Sequence, residues 1–356
     1  MNVYKNNSDQ ITADLDDLRG PDSTPQLNHI PRSFLMEEQP LLSIHNLTLE
    51  YKTRKGYVSA VDNVSFDLLA GQAMGLVGES GCGKTTVAMA LMRLSPDNAI
   101  IRQGEILLDG RDILKFSDQQ MRDVRWARIS MVFQAAMNAL NPVYRVGDQI
   151  IEALDRHQDR MTLAEKQDRL VELFNLVGID PKMIARYPHE FSGGMRQRAV
   201  IAMALACNPS LIIADEPTTA LDVIVQDQVL RELSRIQKTL HMSMIYISHD
   251  IAVIAEVADI IGVMYAGCLV EKASTRTIFE SPRHRYTKAL LSAFPSIAGP
   301  KTDLYALPGD PPDLLMPPSG CRFHPRCAYA TERCITEKPP LEQVEYAHWA
   351  ACWNPV

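Results

Sequence analysis

The sequence has no apolar run approaching the roughly 18 residues that a membrane-spanning helix needs. The stretch from Ala199 to Cys207 is apolar and uncharged but too short, with Arg198 at its edge, and the stretch from Ile251 to Val270 is interrupted by Glu256 and Asp259. No secretory-signal pattern opens the chain. No basic block is present either, and Asp plus Glu (43) outnumber Lys plus Arg (36), for a formal net charge of -7. A nucleic-acid binder concentrates cationic side chains, so nucleic acid is not expected as the main partner. No two cysteines are separated by two residues, the gap that marks most zinc ribbons. These absences predict a cytoplasmic protein whose membrane role, if it has one, comes through partner subunits.

What is present is an ordinary globular composition, 46% hydrophobic and 22% charged, over 356 residues. That length accommodates one full catalytic domain and a smaller appendix. Residues 1–40 are polar, with scattered prolines and no sustained period, and read as a mobile extension without chemistry. From Leu41, LLSIHNLTLEY alternates as a strand should; YVSAVDNVSFDL and GEILLDG add strands of an expected antiparallel sheet. Residues from about 135 to 195 read as mostly helical. The pattern then alternates: LIIAD, a helix through about Thr239, MSMIYISHD, a short helix, DIIGVMYAG. Alternation of this kind predicts a largely parallel sheet covered by helices.

The chemistry concentrates in two places. Residues 78–86 read GESGCGKTT, between the apolar run QAMGLVG and the helix-forming run TTVAMALMRL. Glycines at 78, 81 and 83 let the backbone turn tightly and approach phosphates. The loop's N–H groups, from Gly78, Glu79, Ser80, Gly81, Cys82 and Gly83 into the helix with Thr86, are expected to face the anion. Lys84 supplies a point charge to the β- and γ-phosphates, and Thr85 a hydroxyl to Mg²⁺. Downstream, LIIADE is an apolar strand ending in two carboxylates. Asp215 is expected to hold Mg²⁺, directly or through water, and Glu216 to orient and polarise the attacking water.

Between these motifs lies FSGGMRQR, and with it the chain resembles the ATP-binding-cassette ATPases over about residues 42–280. The resemblance implies a RecA-like P-loop core with a flanking antiparallel β subdomain, a helical signature subdomain and a small Cys-rich C-terminal region. The family's signature is usually LSGGQ; here Phe191 and Met195 depart, while Ser192, Gly193 and Gly194 are kept. In the family this element binds the γ-phosphate held by a partner subunit, so Met195 puts only a side-chain contact in doubt. The resemblance further implies a Mg²⁺- and water-sensing role for Gln134 in MVFQ, a switch role for His249 in YISHD, and an interface-crossing loop at Leu221-Asp222. It implies adenine stacking by Tyr51, with Tyr57 as a rival. AAMNALNPVYRVGDQI, after Gln134, is the expected groove for helices of membrane subunits.

The tail carries Cys321, Cys327, Cys334 and Cys352. A cytosolic chain rarely keeps disulfides, so four clustered thiols point to Zn²⁺ or an iron–sulfur cluster, or remain reduced without metal. Gaps of five, six and seventeen residues form loose loops, which favour the larger group. Cys82, Cys207 and Cys268 read as small apolar fillers of the core. SPRHRYTKALLSAFPS, LPGDPPDL and GCRFHPRC resemble the C-terminal region of dipeptide and oligopeptide permease ATPases, with His284-Arg285-Tyr286-Thr287 where that family usually has H-P-Y-T. In its dipeptide-type members four such cysteines hold a [4Fe–4S] cluster, and the resemblance implies the same here. A division into residues 1–40, 41–284 and 285–356 follows.

The function implied is ATP hydrolysis by a peripheral subunit at the inner face of the cell membrane, energising peptide import. Two permease subunits, a second homologous ATPase and, indirectly, a solute-binding protein are the implied partners. Nickel, glutathione or oligosaccharides are alternative cargoes of the same machine. A soluble cassette protein of DNA repair or translation would carry two cassettes, a long coiled coil or basic insertions, and this chain has one cassette and none of these.

Overall fold

The computed structural model describes residues 39–134, 139–158, 160–219, 222–293 and 307–356. The expected N-terminal extension up to Glu38 lies outside the described residues. So do residues 135–138 of the expected docking groove, Ala220 and Leu221 of the expected crossing loop, and residues 294–306 of the tail. Gln39–Val356 forms one compact unit.

Among the described residues the strands form two sheets. The smaller holds β1 (Leu42–Thr53), β2 (Gly56–Leu68), β4 (Ala99–Leu108) and β5 (Arg111–Asp112), all antiparallel, in the order β2-β1-β4-β5. β1 buries Leu42, Ile44, Leu47 and Leu49. The change of parity between Ile44 and Leu47 coincides with a register shift at Asn46, whose φ of 50° fits a bulge.

The larger sheet carries the alternating pattern. β3 (Ala73–Val77), β6 (Ile129–Val132), β7 (Leu211–Asp215), β8 (Ser243–Ser248) and β9 (Ile260–Tyr265) run parallel in the order β9-β3-β8-β7-β6. The apolar runs are continuous because both faces are covered. Met74, Leu76, Leu211 and Ile213 enter one core, shared with β1, β2 and helix α1 (Lys84–Met92). Their neighbours Ala73, Val77, Ile212 and Ala214 enter the other. That second core also takes α3 (Val146–His157), α4 (Leu163–Leu176), α5 (Gly193–Ala204) and α6 (Val223–Leu240). α4 starts at a capping box between Thr162 and Glu165 and buries Leu170, Leu173 and Phe174, the spacing of one helical face. Short helices α2 (Asp118–Val124), α7 (Ile251–Ala255), α8 (Thr275–Glu280), α9 (Arg285–Ser292) and α10 (Glu332–Thr336) complete the set.

Beyond β9 the sheet changes direction. β10 (Cys268–Ser274), β12 (His348–Ala350) and β11 (Glu342–Glu345) continue it antiparallel, in that spatial order. The C-terminal region therefore extends the catalytic sheet. Buried Glu271 on β10 fastens it: its carboxylate accepts from the backbone N–H groups of Arg283 (2.6 Å) and His284 (2.9 Å) and pairs with His348 Nε2 (2.7 Å).

Candidate active site

Loops at the C-terminal ends of parallel strands are where ligands bind in open α/β sheets, and the candidate residues gather there. The glycine loop leaves β3 and enters α1. Gly78 and Gly83 have φ of 151° and 102°, and an added Cβ would lie 2.1 Å from the Met264 carbonyl oxygen and 2.3 Å from that of Ala60. Neither site has room for a side chain, so the loop's path is set by backbone on both sides. Within it the buried Lys84 Nζ donates to the carbonyls of Gly78 (2.7 Å) and Glu79 (3.0 Å) and lies 3.5 Å from Cys82 Sγ. Burial pushes the Cys82 thiol up, although Lys84 opposes the shift.

Thr85 Oγ1 donates to Asp215 Oδ1 at 3.2 Å, joining the start of α1 to the end of β7. Burial raises Asp215 above the usual carboxylate range, with the Thr85 hydrogen bond and Lys84 opposing and Glu216 adding. A buried carboxylate of this kind is eased by a cation beside it, and the hydroxyl and carboxylate oxygens are hard donors suited to Mg²⁺.

Glu216 is the point of convergence. Its Oε2 accepts from Gln134 Nε2 (2.8 Å) and Thr219 Oγ1 (2.9 Å), and its Oε1 lies 3.1 Å from His249 Nδ1. Partial burial pushes this carboxyl up, but the hydrogen bonds from His249 and Thr219 outweigh it and hold the group below its usual range. Glu216 is thus an ionised acceptor at neutral pH. Its own φ of 45° is a left-handed conformation rare for a residue with a Cβ, and such strain concentrates at functional sites. Three strand ends deliver this cluster: β6 brings Gln134, β7 brings Glu216 and β8 brings His249.

The signature residues form a second cluster. Ser192 caps α5 and accepts from the Met195 N–H at 3.3 Å; Asp222 caps α6 and accepts from the Val225 N–H at 2.9 Å. A Cβ at Gly194 would stand 3.1 Å from Val225 Cγ1, so the two helix starts lie side by side. Next to Asp222, Val223 (80%) and Ile224 (73%) are strongly exposed. Among the described residues no hydrogen bond joins Ser192, Gly193, Gly194, Met195 or Asp222 to the glycine loop. Tyr51 donates its hydroxyl to Thr86 Oγ1 at 3.2 Å, while exposed Tyr57 has the Arg102 guanidinium 4.6 Å above its ring. Tyr51 is therefore the one tied to the loop.

In the tail, Cys321, Cys327, Cys334 and Cys352 all line one narrow cleft, with His284, Phe323 and Trp353 among its other walls. Burial raises the thiols of Cys321 (to about 12), Cys327 and Cys352. The nearby backbone N–H groups of Phe323, Tyr329 and Asn354 partly oppose this. Among the described residues no three His, Cys, Asp or Glu side chains are placed to hold a single metal ion. Cys82 and Cys207 are buried in the core, and Cys268 partly so.

Sequence reasoning missed two contacts. Thr219 supports Glu216, and the only signal was its place after the strand. Arg326 reaches the glycine loop from the tail, pairing with Glu79 (2.6 and 3.0 Å), yet CRFHPRC drew attention only for its thiols.

Comparison with known proteins identifies the family. Residues 61–219 match the family described as ABC transporter, and residues 270–334 match the Oligopeptide/dipeptide transporter C-terminal region. The oligopeptide transport ATP-binding protein OppD of Bacillus subtilis is 45% identical over 317 residues, 88% of each chain. The chain belongs to the ATP-binding subunits of ABC transporters. This cassette ATPase is also 43% identical over 320 residues to the dipeptide transport ATP-binding protein DppD of Lactococcus lactis, covering 89% of this chain and 92% of that one. Among solved structures it is similar to the dimeric post-hydrolysis state of the ATP-binding cassette MJ0796 bound to ADP and Pi. There the TM-score is 0.59 and the identity 26%, over 66% of this chain and 99% of the other. The expected α/β cassette fold is accordingly the observed one, and the chain is an ATP-hydrolysing transporter subunit. No helix among the described residues is long and apolar enough to cross a membrane.

Proposed function

We propose that this cassette ATPase energises uptake of di- or oligopeptides from the inner face of the cell membrane. It would be docked on two permease subunits, paired with a second homologous ATPase and served by a solute-binding protein outside. The observation that carries the cargo is the match of the tail to the oligopeptide/dipeptide C-terminal region, together with relatives named for peptide transport.

The chemistry follows from the two clusters. The glycine loop and Lys84 bind the β- and γ-phosphates, Tyr51 lies against the adenine, and Thr85, Asp215 and Gln134 serve Mg²⁺. Glu216, ionised and steered by Gln134, Thr219 and His249, accepts a hydrogen bond from water and orients it for in-line attack on the γ-phosphorus. Ser192, Gly193, Gly194 and Met195 with Asp222 stand apart from the loop in their own chain. They complete the pocket of a partner subunit, which the exposed Val223 and Ile224 help to cover. A dimeric cassette relative supports this arrangement. Closure of the pair pulls the permeases toward the outward-open state, and hydrolysis resets them.

The four tail cysteines suit a [4Fe–4S] cluster. All four thiols line one cleft, and thiolate sulfur is the donor that iron–sulfur clusters take. When bound, a cluster would supply a covalent brace for the tail. Anaerobic purification followed by iron, sulfide and zinc analysis is expected to give iron and acid-labile sulfide together; stoichiometric zinc or no metal would remove the cluster.

The function is tested by uptake. Cells carrying this subunit with its permeases, second ATPase and binding protein should accumulate labelled dipeptide or oligopeptide, and lose uptake on deletion of this subunit. Uptake of nickel, glutathione or an oligosaccharide in place of peptide would transfer the machine to that cargo.

A further inference from the structure

The glycine loop carries an anionic side chain where it is about to meet an anionic ligand. The Glu79 carbonyl accepts from Lys84 Nζ at 3.0 Å, so residue 79 belongs to the turn that surrounds the phosphate-binding ammonium. Left unpaired, its carboxylate would repel a triphosphate. It is not unpaired. Arg326 NH1 and NH2 grip its two oxygens at 2.6 and 3.0 Å, a two-pronged ion pair. The Arg326 side chain is only 6% exposed and Glu79's 24%. The guanidinium is itself fixed, with Nε donating to the Pro308 carbonyl at 2.8 Å and NH1 to the Tyr265 hydroxyl at 3.3 Å. The loop backbone is tied to the same region, because the Glu79 N–H donates to the Tyr286 hydroxyl at 3.1 Å. Tyr265, Tyr286 and Phe323 pack ring against ring behind it, with centroids 4.5 to 5.4 Å apart.

We infer that Arg326 is a positioning residue for the nucleotide site: it neutralises Glu79 and holds its carboxylate off the phosphates, so the tail sets the ATP affinity of its own glycine loop. The inference rests on the glycine loop binding ATP, as the family assignment has it. Arg326 closes the short turn His324–Arg326, which Cys321 and Cys327 bracket, so whatever orders those thiol loops also places the guanidinium. Arg326 touches no phosphate in this scheme. It acts through Glu79.

The experiment is equilibrium binding of ATP with Mg²⁺ to the purified full chain at low and high salt, with kcat measured alongside. Arg326→Gln keeps much of the side-chain length and removes the charge. It is expected to weaken ATP roughly tenfold, by freeing one carboxylate near the phosphates, with less effect at high salt. Arg326→Lys should recover part of the loss. The decisive variant is the double change Glu79→Gln with Arg326→Gln, which should return affinity to within about twofold of wild type, since no carboxylate is then left to repel. A tail that merely collapsed without Arg326 would not be rescued by altering Glu79. Wild-type affinity in Arg326→Gln, or a double variant as weak as the single one, would overturn the inference. Failure of the wild-type chain to bind ATP would instead strike the reading on which it rests.

Discussion

Glu216 combines a left-handed backbone with a carboxylate that Gln134, Thr219 and His249 engage and that the hydrogen bonds from His249 and Thr219 hold below its usual range. Replacing it by Gln keeps the shape and removes the charge. We expect Glu216→Gln to bind ATP as the wild type does and to lose at least about a hundredfold in turnover, the scale of a positioned acid–base group. Phosphate release, measured beside nucleotide binding, checks this; turnover near wild type would remove Glu216 from its role. At this scale the sequence was highly legible where a motif names the atom. Lys84, Thr85, Asp215 and Glu216 stand on motif spacing, whereas Ser192 needed the resemblance. Gln134 and His249 needed the resemblance, because a polar residue after a strand has many uses. Arg326 was not legible, since its partner Glu79 lies far back in the chain and only the fold brings them together.

Among the elements, α9 shows how a buried cap links stability to pH. His284 caps it, with Nδ1 accepting from the Tyr286 N–H at 3.0 Å, and burial drives its pKa from 6.5 down to about 3. The folded imidazole is therefore neutral at pH 7. Below about 6.5 the unfolded chain gains a proton that the folded chain refuses. Stability from this site is thus complete above the unfolded pKa and drains away as pH falls toward 3, by about 1.4 kcal/mol per pH unit. Between pH 7.5 and 5.5 the wild type should lose about 1 kcal/mol more than His284→Asn, which keeps a capping acceptor but does not titrate. Denaturant unfolding of both proteins at the two pH values decides it, and equal losses would refute the assignment. The parallel strands around the site were readable as elements because runs such as LIIAD are apolar on both faces. The strands Glu342–Glu345 and His348–Ala350 were not: EQVE is wholly exposed and does not alternate, and three residues carry no period. They are strands because β10 offers them an edge, and that is tertiary information.

For the molecule as a whole, the tail reads in sequence as an appendix and stands in the fold as part of the catalytic body. Its thiol cleft, its grip on Glu79 and its hairpin on β10 follow from one placement. The hairpin also decides how the large sheet ends on that side. β10 is mostly buried, and left open it would present a row of free backbone groups beside apolar side chains. β12 covers that row, and the sheet then finishes on β11, short, solvent-facing and flanked by Glu342 and Glu345. A charged, truncated border of this sort discourages two molecules from joining edge to edge. The same nine residues, Glu342–Ala350, that close the catalytic body thereby guard it against edge-to-edge aggregation.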